Sequence, residues 1–463
     1  MRLWVGVENF AKIESARVCV DSYTLFVGPN NSGKTFLMQL IQGLGNKVVN
    51  LLEEDAIDIL LEEKSEGYSK CLLDEKNVTE FVGYLNGKLQ LRKEQLVKEI
   101  FGKEIPIEKL YIDMELEENI SYQIDIFEIG SIEDDELKQF VNEKMSSFLM
   151  QMDTIDKGVI GFLTESDRQS KHEDLMSVGI SMAGRKESVF KMALQGILEK
   201  RSLFLPASRT GLMLLYRDYF ANKTDEAVSY RVGKELVKEK GRYGGLTEPI
   251  YKFLRFLQTY TENEENDVYK DELEFFERRI IDGHISAKKQ GNFIYYEKDS
   301  GNAVPMPLAS AMINEVAPLA LALTSEKSYG RLIIDEVEAS LHPQKQFELV
   351  RFLNRINNKG VRLILSTHSD TFASRLSNLY VLSEHMKNCK DNGFFQKFHL
   401  QEEDLVQPDN LFVYEFVFQS DGKSVVKEVD ADPKMGFQFD LFTKSAMDLY
   451  EEALRLGEIQ PDD

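Results

Sequence analysis

The chain has 463 residues, 43% of them hydrophobic, and a formal net charge of −22 from 78 Asp and Glu against 56 Lys and Arg. That length supports a large core and about three domains of ordinary size. The acid excess argues against a protein that grips DNA over a broad basic surface, and no run of eighteen apolar residues marks a membrane span.

Cys19, Cys71 and Cys389 are odd in number and irregular in spacing, unlike a disulfide framework or a zinc cluster. With an opening segment that lacks the apolar core of a signal peptide, they point to a reducing, cytoplasmic setting.

In chain order, residues 5–10 and 16–20 read as short strands separated by a polar connection. Residues 24–27 form a buried strand that runs into a loop opened by Gly28. A helix follows, because Leu37, Leu40, Ile41 and Leu44 repeat at i, i+3, i+4, i+7. Residues 51–150 are acidic, with 25 Asp and Glu against 11 Lys and Arg. This excess fits either a solvated helical face or a docking surface for a basic partner. Residues 110–112 and 122–127 read as strands and 134–200 as mainly helical. A second helical stretch covers 212–280, with Ile250, Phe253, Leu254 and Leu257 on one face. Short strands return over 284–307, with a turn near Ser300-Gly301. Residues 331–366 read as strand, helix, strand, the helix carried by Leu349, Phe352, Leu353 and Ile356 and stopped at Gly360. A hairpin over 412–418 and 425–429 turns at Asp421-Gly422, and a final helix covers about 440–457.

Three segments carry chemistry. Gly28-Pro29-Asn30-Asn31-Ser32-Gly33-Lys34-Thr35 matches G-x-x-x-x-G-K-[ST] in the strand–loop–helix setting that a phosphate-binding loop requires. Its glycines let successive backbone N–H groups point at a phosphate. Lys34 reaches the β- and γ-phosphates of a nucleotide, Thr35 offers a hydroxyl to Mg²⁺, and the helix N-terminus adds its positive end. The apolar run 332–334 ends in two carboxylates. Asp335 suits Mg²⁺, and Glu336 suits orienting and deprotonating a water. After the next buried strand comes His368, placed to donate a hydrogen bond beside a γ-phosphate if the three elements share one parallel sheet.

Together these segments resemble the ABC ATPases of the RecF/SMC kind and, within them, the overcoming-lysogenisation-defect (OLD) family. The resemblance covers about 1–45 and 200–430. It includes Asn9-Phe10, the phosphate loop, and Asp335-Glu336-Val337-Glu338-Ala339-Ser340-Leu341-His342-Pro343, with Val337 where proline is expected. It also includes Ser366-Thr367-His368-Ser369-Asp370 and Leu205-Pro206-Ala207-Ser208-Arg209-Thr210-Gly211. Arg209 is open to three readings: facing the nucleotide, facing a subunit interface, or forming a plain salt bridge. The ABC signature is altered to Leu308-Ala309-Ser310-Ala311-Met312-Ile313-Asn314-Glu315, without the usual glycines. Ser310 remains a candidate contact to a partner's ATP.

The resemblance implies an α/β fold: an ABC-type P-loop head, a mixed sheet with flanking helices, carrying a large, mainly helical insertion. The head spans 1–50 and 200–430, the acidic, α-rich insertion 51–200, a helical arm within the head 212–280, and a C-terminal helix 431–463. ATP and Mg²⁺ are the implied ligands. A homodimer or higher homo-oligomer joined through ATP-sandwich interfaces is the implied assembly. Several OLD proteins carry a TOPRIM nuclease domain, but fewer than one hundred residues follow Asp370. Asp430-Ala431-Asp432 lacks the preceding glutamate strand of that fold. The expected function is an ATP-hydrolysing sensor and scaffold that controls a separate effector, a nuclease, as ATPase subunits of antiphage systems such as PARIS and Septu do. The alternative is a RecF/SMC-like repair ATPase that clamps DNA.

Overall fold

A computed structural model describes residues 2–53, 60–117, 120–129, 138–141, 158–167, 172–181, 185–198, 201–231, 243, 245–263, 267–288, 292–388 and 393–457. Cys389 and parts of the stretches 134–200 and 212–280 lie outside them. The chain divides into two compact units: Met1–Val7, Gly43–Leu96 and Ile107–Arg201 make one, and Glu8–Gln42, Val97–Pro106 and Ser202–Asp463 the other.

The second unit holds a run of seven adjacent strands, in the order Ser202–Leu205, Arg331–Ile334, Arg362–Thr367, Tyr23–Val27, Leu411–Phe418, Ser424–Glu428 and Ile13–Cys19. The first five are mutually parallel, and Leu411–Phe418 and Ser424–Glu428 form the expected antiparallel hairpin. This is the mixed, helix-flanked α/β sheet expected of the head. Its central strands Tyr23–Val27 and Arg331–Ile334 are buried at every residue. That burial explains why they read as unbroken apolar runs rather than alternations, since parallel sheets are covered on both faces. Leu25, Val27, Leu332, Ile334, Leu363 and Leu365 share one core with Leu349, Phe352, Leu353 and Ile356 of the helix Pro343–Asn358.

That helix starts where the carboxylate-bearing segment ends, so its placement governs the site. His342 caps it, Pro343 opens it, and Gly360 follows it at φ 94. On its buried side Arg351 Nη2 and Arg355 Nε donate to the carboxylate of Asp404 at 2.8 and 2.6 Å. Asn354 Nδ2 donates to the Asp404 carbonyl at 2.8 Å. Burial works to raise the Asp404 carboxyl, but the Arg351 and Arg355 guanidinium groups and the Gln401 N–H outweigh it and hold it below the usual range.

The stretch expected to be a helical arm contains helices Arg209–Arg231, Glu248–Gln258 and Lys270–Phe276, the last running into a π turn, Glu277–Ile281. Three antiparallel strands follow: Gly283–Lys288, Asn292–Glu297 and Ala303–Pro305. The C-terminal helix is Asp440–Gly457. Among the described residues no helix is long and apolar enough to cross a membrane.

The first unit corrects one expectation. Glu62–Ser65, Tyr68–Leu73, Ile120–Ile129, Gly158–Asp167 and His172–Ser181 form a five-stranded antiparallel sheet in that order. Two of these strands lie within 134–200, which was expected to be mainly helical. In that stretch Lys186–Leu198 is the long described helix. The insertion thus carries a sheet that its reading as α-rich did not anticipate. Val159, Ile160, Phe162 and Leu163 are all buried, and a short apolar run of this kind cannot be told from a buried helix by periodicity. Its hydrogen-bonding partner, Ile120–Ile129, lies some thirty residues upstream and is invisible to a local window.

Asp404→Ala would leave two buried guanidinium groups without their shared carboxylate, at a cost of about 3–5 kcal/mol. We expect a lowered thermal melting temperature; a melting curve identical to wild type would show that Asp404 and the two arginines do not hold the helix.

Candidate functional site

The parallel register sets the strand ends level. Leu205 pairs with Ile334, Ile334 with Leu365, and Leu365 with Leu25. The residues just beyond these ends therefore meet along one edge, where open α/β sheets place ligands. They are the 206–209 turn, Asp335-Glu336, the segment through His368, and the loop from Gly28.

In the loop, Gly28 and Gly33 take φ of 149° and 104°. A Cβ on Gly28 would sit 2.8 Å from the Cβ of Phe416, so the close backbone approach needs glycine there. Asn31 is left-handed at φ 64. Asn30, Asn31 and Thr35 are exposed, and Ser32 is buried. Lys34 is buried and donates to the carbonyls of Gly28 and Pro29 at 2.9 and 2.8 Å and to Ser32 Oγ at 3.4 Å. Burial draws its pKa down to about 8, against the pull of Asp335, Glu336 and Glu338.

Thr35 Oγ1 donates to Asp335 Oδ2 at 2.7 Å, joining the loop to the acidic strand end across 300 residues of sequence. Ser366 Oγ donates to Asp335 Oδ1 at 2.6 Å and accepts from the Glu336 N–H at 2.9 Å. Hydroxyl and carboxylate oxygens are hard ligands that suit Mg²⁺, which characteristically takes one or two protein ligands beside phosphates and water. Thr35 and Asp335 therefore fit that ion, with no larger acidic cage among the described residues.

Glu336 stands at φ 49, a left-handed conformation that non-glycine residues hold only when neighbours enforce it. Its carboxyl is raised above the usual range, first by burial and then by Asp335. His368 Nε2 lies 3.9 Å from Glu336 Oε1. Burial, followed by Lys34, lowers the His368 pKa, which favours the neutral ring at neutral pH. The His368 N–H donates to Glu338 Oε1 at 2.7 Å, and the other oxygen of Glu338 is buried without a described partner.

Ser310 is placed differently. It is the N-cap of the helix Ala311–Thr324 and accepts from the Ile313 N–H at 3.3 Å. Its connection to the edge runs through Glu315 and Arg209. Of the three readings of Arg209, the buried salt bridge is the geometry observed: Nε lies 3.1 Å from Glu315 Oε2.

Two participants received no role from the sequence. Ser366 could have been found from register, because Leu365 pairs with Ile334 and Ser366 is then opposite Asp335. Glu315 had a signal too: it is the lone acid in a helix whose residues from Ile313 to Leu323 are all buried and, Asn314 apart, otherwise apolar, and a buried charge requires a partner.

Comparison with known proteins gives a family. A family model described as an AAA ATPase domain matches residues 4–373. No curated protein matches the chain. Among solved structures, it is similar to an SMC head bound to the C-winged helix domain of ScpA (11% identity, 93% of this chain and 97% of that one, TM-score 0.34). It is also similar to the SMC head domain from Thermotoga maritima (11%, 93% and 100%, TM-score 0.32). A third is the Smc head with an extended coiled coil bound to the C-terminal domain of ScpA from Pyrococcus furiosus (11%, 97% and 98%, TM-score 0.34).

If the Lys34 ammonium meets phosphate as the loop motif implies, protonated Lys34 is the binding form. Affinity for a labelled ATP analogue should be full below about pH 7 and fall about tenfold by about pH 9, as Lys34 loses its proton. A flat profile in equilibrium binding would remove Lys34 titration from the account.

Proposed function

The chain belongs to the AAA ATPase domain family, and from that premise we propose that it hydrolyses ATP to ADP and phosphate as the sensor and scaffold subunit of an antiphage defence assembly. The observation that carries the hydrolysis reading is the hydrogen-bonded line from Thr35 through Asp335 and Ser366 to the Glu336 backbone. In this reading Thr35 and Asp335 are the metal-binding pair and Glu336 the base, and that line of bonds keeps them beside the phosphate loop.

In this reading Gly28, Asn30, Asn31, Ser32, Gly33 and Lys34 enclose the phosphates with backbone N–H groups and one ammonium. Thr35 and Asp335 hold Mg²⁺, which when bound neutralises charge on the β- and γ-phosphates. Glu336 orients the attacking water and takes its proton. Burial, then Asp335, raises its pKa, which makes it a stronger base than an ordinary carboxylate. His368, neutral and adjacent, donates a hydrogen bond toward the transferred phosphoryl group.

The wider role rests on the OLD-like motifs. Ser310, exposed at the start of a fourteen-residue helix, is suited to a phosphate presented by a second copy of the chain. Two copies related by a two-fold axis then share both nucleotides. Assembly of that pair by ATP would hold or license a separate effector, a nuclease, with the acidic 51–150 region as a docking surface for a basic partner. The net charge of −22 favours a protein partner over DNA.

ATP turnover by the purified chain, with and without double-stranded DNA, tests this reading. We expect Lys34-dependent turnover that ignores DNA. Glu336→Gln should lower turnover by about 100-fold or more while retaining ATP and trapping a larger species in light scattering. Strong stimulation by DNA that fades steeply with salt would instead support a DNA clamp, and Glu336→Gln behaving as wild type would remove Glu336 as the base.

A further inference from the structure

Arg209 is wholly buried, and its guanidinium hydrogen-bonds almost entirely to backbone. Nε donates to the Glu315 carbonyl at 2.7 Å. Nη1 donates to the carbonyls of Pro206 and Asp335 at 3.2 and 2.8 Å, and Nη2 to the carbonyl of Glu336 at 3.1 Å. Only a planar, multiply donating group can serve carbonyls from three separate chain segments at once; a lysine ammonium cannot reproduce that fork.

The Glu315 carboxylate, in turn, accepts from the N–H groups of Arg209 and Thr210 at 3.2 and 3.0 Å. These open the helix Arg209–Arg231, where the helix dipole favours an acid. Thr210 Oγ1 also donates to the Ala311 carbonyl at 3.2 Å. Glu315 lies in the second turn of the helix that Ser310 caps. A continuous path therefore runs from Ser310 through Glu315 and Arg209 to the backbone of Glu336. At its far end Glu336 is left-handed, its N–H held by Ser366 and its carbonyl by Arg209.

We infer that Arg209 is a positioning residue that links the helix behind Ser310 to the setting of Glu336, so that a second copy's nucleotide engaging Ser310 changes the rate of hydrolysis rather than the affinity for ATP. The inference rests on the reading of Glu336 as the base. A shift of that helix moves Glu315, and with it the fork that fixes the Glu336 carbonyl. The loop that grips the phosphates is tied to Asp335 through Thr35, but it also has anchors of its own, the Lys34 bonds within the loop and Ser424 Oγ donating to the Ser32 carbonyl, and these keep it in place.

The test uses the full chain and the variants Arg209→Lys and Glu315→Gln. For each, kcat and KM for ATP, the Kd of a labelled ATP analogue, and backbone hydrogen exchange at residues 336–338 are measured. We expect kcat to fall about tenfold or more, Kd to stay within about twofold, and exchange at 336–338 to quicken. Wild-type kcat and exchange in both variants would overturn the link, as would losses of kcat and ATP affinity in proportion to a lowered melting temperature. If Arg209→Lys does not fold, Glu315→Gln, which keeps the side-chain shape, decides. If the wild-type chain binds ATP without turning it over, the hydrolysis reading falls. Exchange at 336–338 then still separates a working link, quickened in the variants, from an absent one.

Discussion

Everything at the candidate site depends on parallel pairing in strict register. In a parallel ladder the strands point the same way, so their C-terminal ends, and the side chains just past them, collect on one edge. With Leu205, Ile334, Leu365 and Leu25 level, Asp335, Ser366 and the phosphate loop meet without any of them having to reach. A one-residue slip between Arg331–Ile334 and Arg362–Thr367 would turn Ser366 away from Asp335 and reverse which face of one strand meets the helix Pro343–Asn358. The apolar runs that fill the core thus also fix the chemistry at its edge.

The edge is crowded with charge, and the structure offsets each charge locally. Lys34 lies among Asp335, Glu336 and Glu338, which work against the burial that draws its proton away. Glu336 is pushed up by burial and by Asp335 and held down by Arg209 and Lys34. Glu315 balances Arg209 one layer further in.

How much of this was legible in the sequence follows from the range of each signal. The phosphate loop, the acidic strand end and His368 are local patterns, readable because each pairs a short motif with the strand that precedes it. The C-terminal hairpin was legible for the same reason, through Asp421-Gly422. The Arg209 fork was not, because its acceptors are carbonyls, which carry no side-chain signature, in segments up to 127 residues away. The sheet of the first unit escaped as well, since Gly158–Asp167 is completed by Ile120–Ile129 on one side and His172–Ser181 on the other. A strand is defined by its neighbours, whereas a helix closes its own hydrogen bonds.

The strand that leads into the phosphate loop lies between Arg362–Thr367 and Leu411–Phe418. Both neighbours come from the far part of the chain. During synthesis, Tyr23–Val27 emerges early and waits for more than three hundred further residues before either ladder can close, a separation of the kind that makes non-local sheets slow to form. A nascent chain carries the whole nucleotide-binding motif long before it carries a nucleotide-binding site. Exposed apolar strand, rather than premature ATP chemistry, is thus the hazard its folding has to manage.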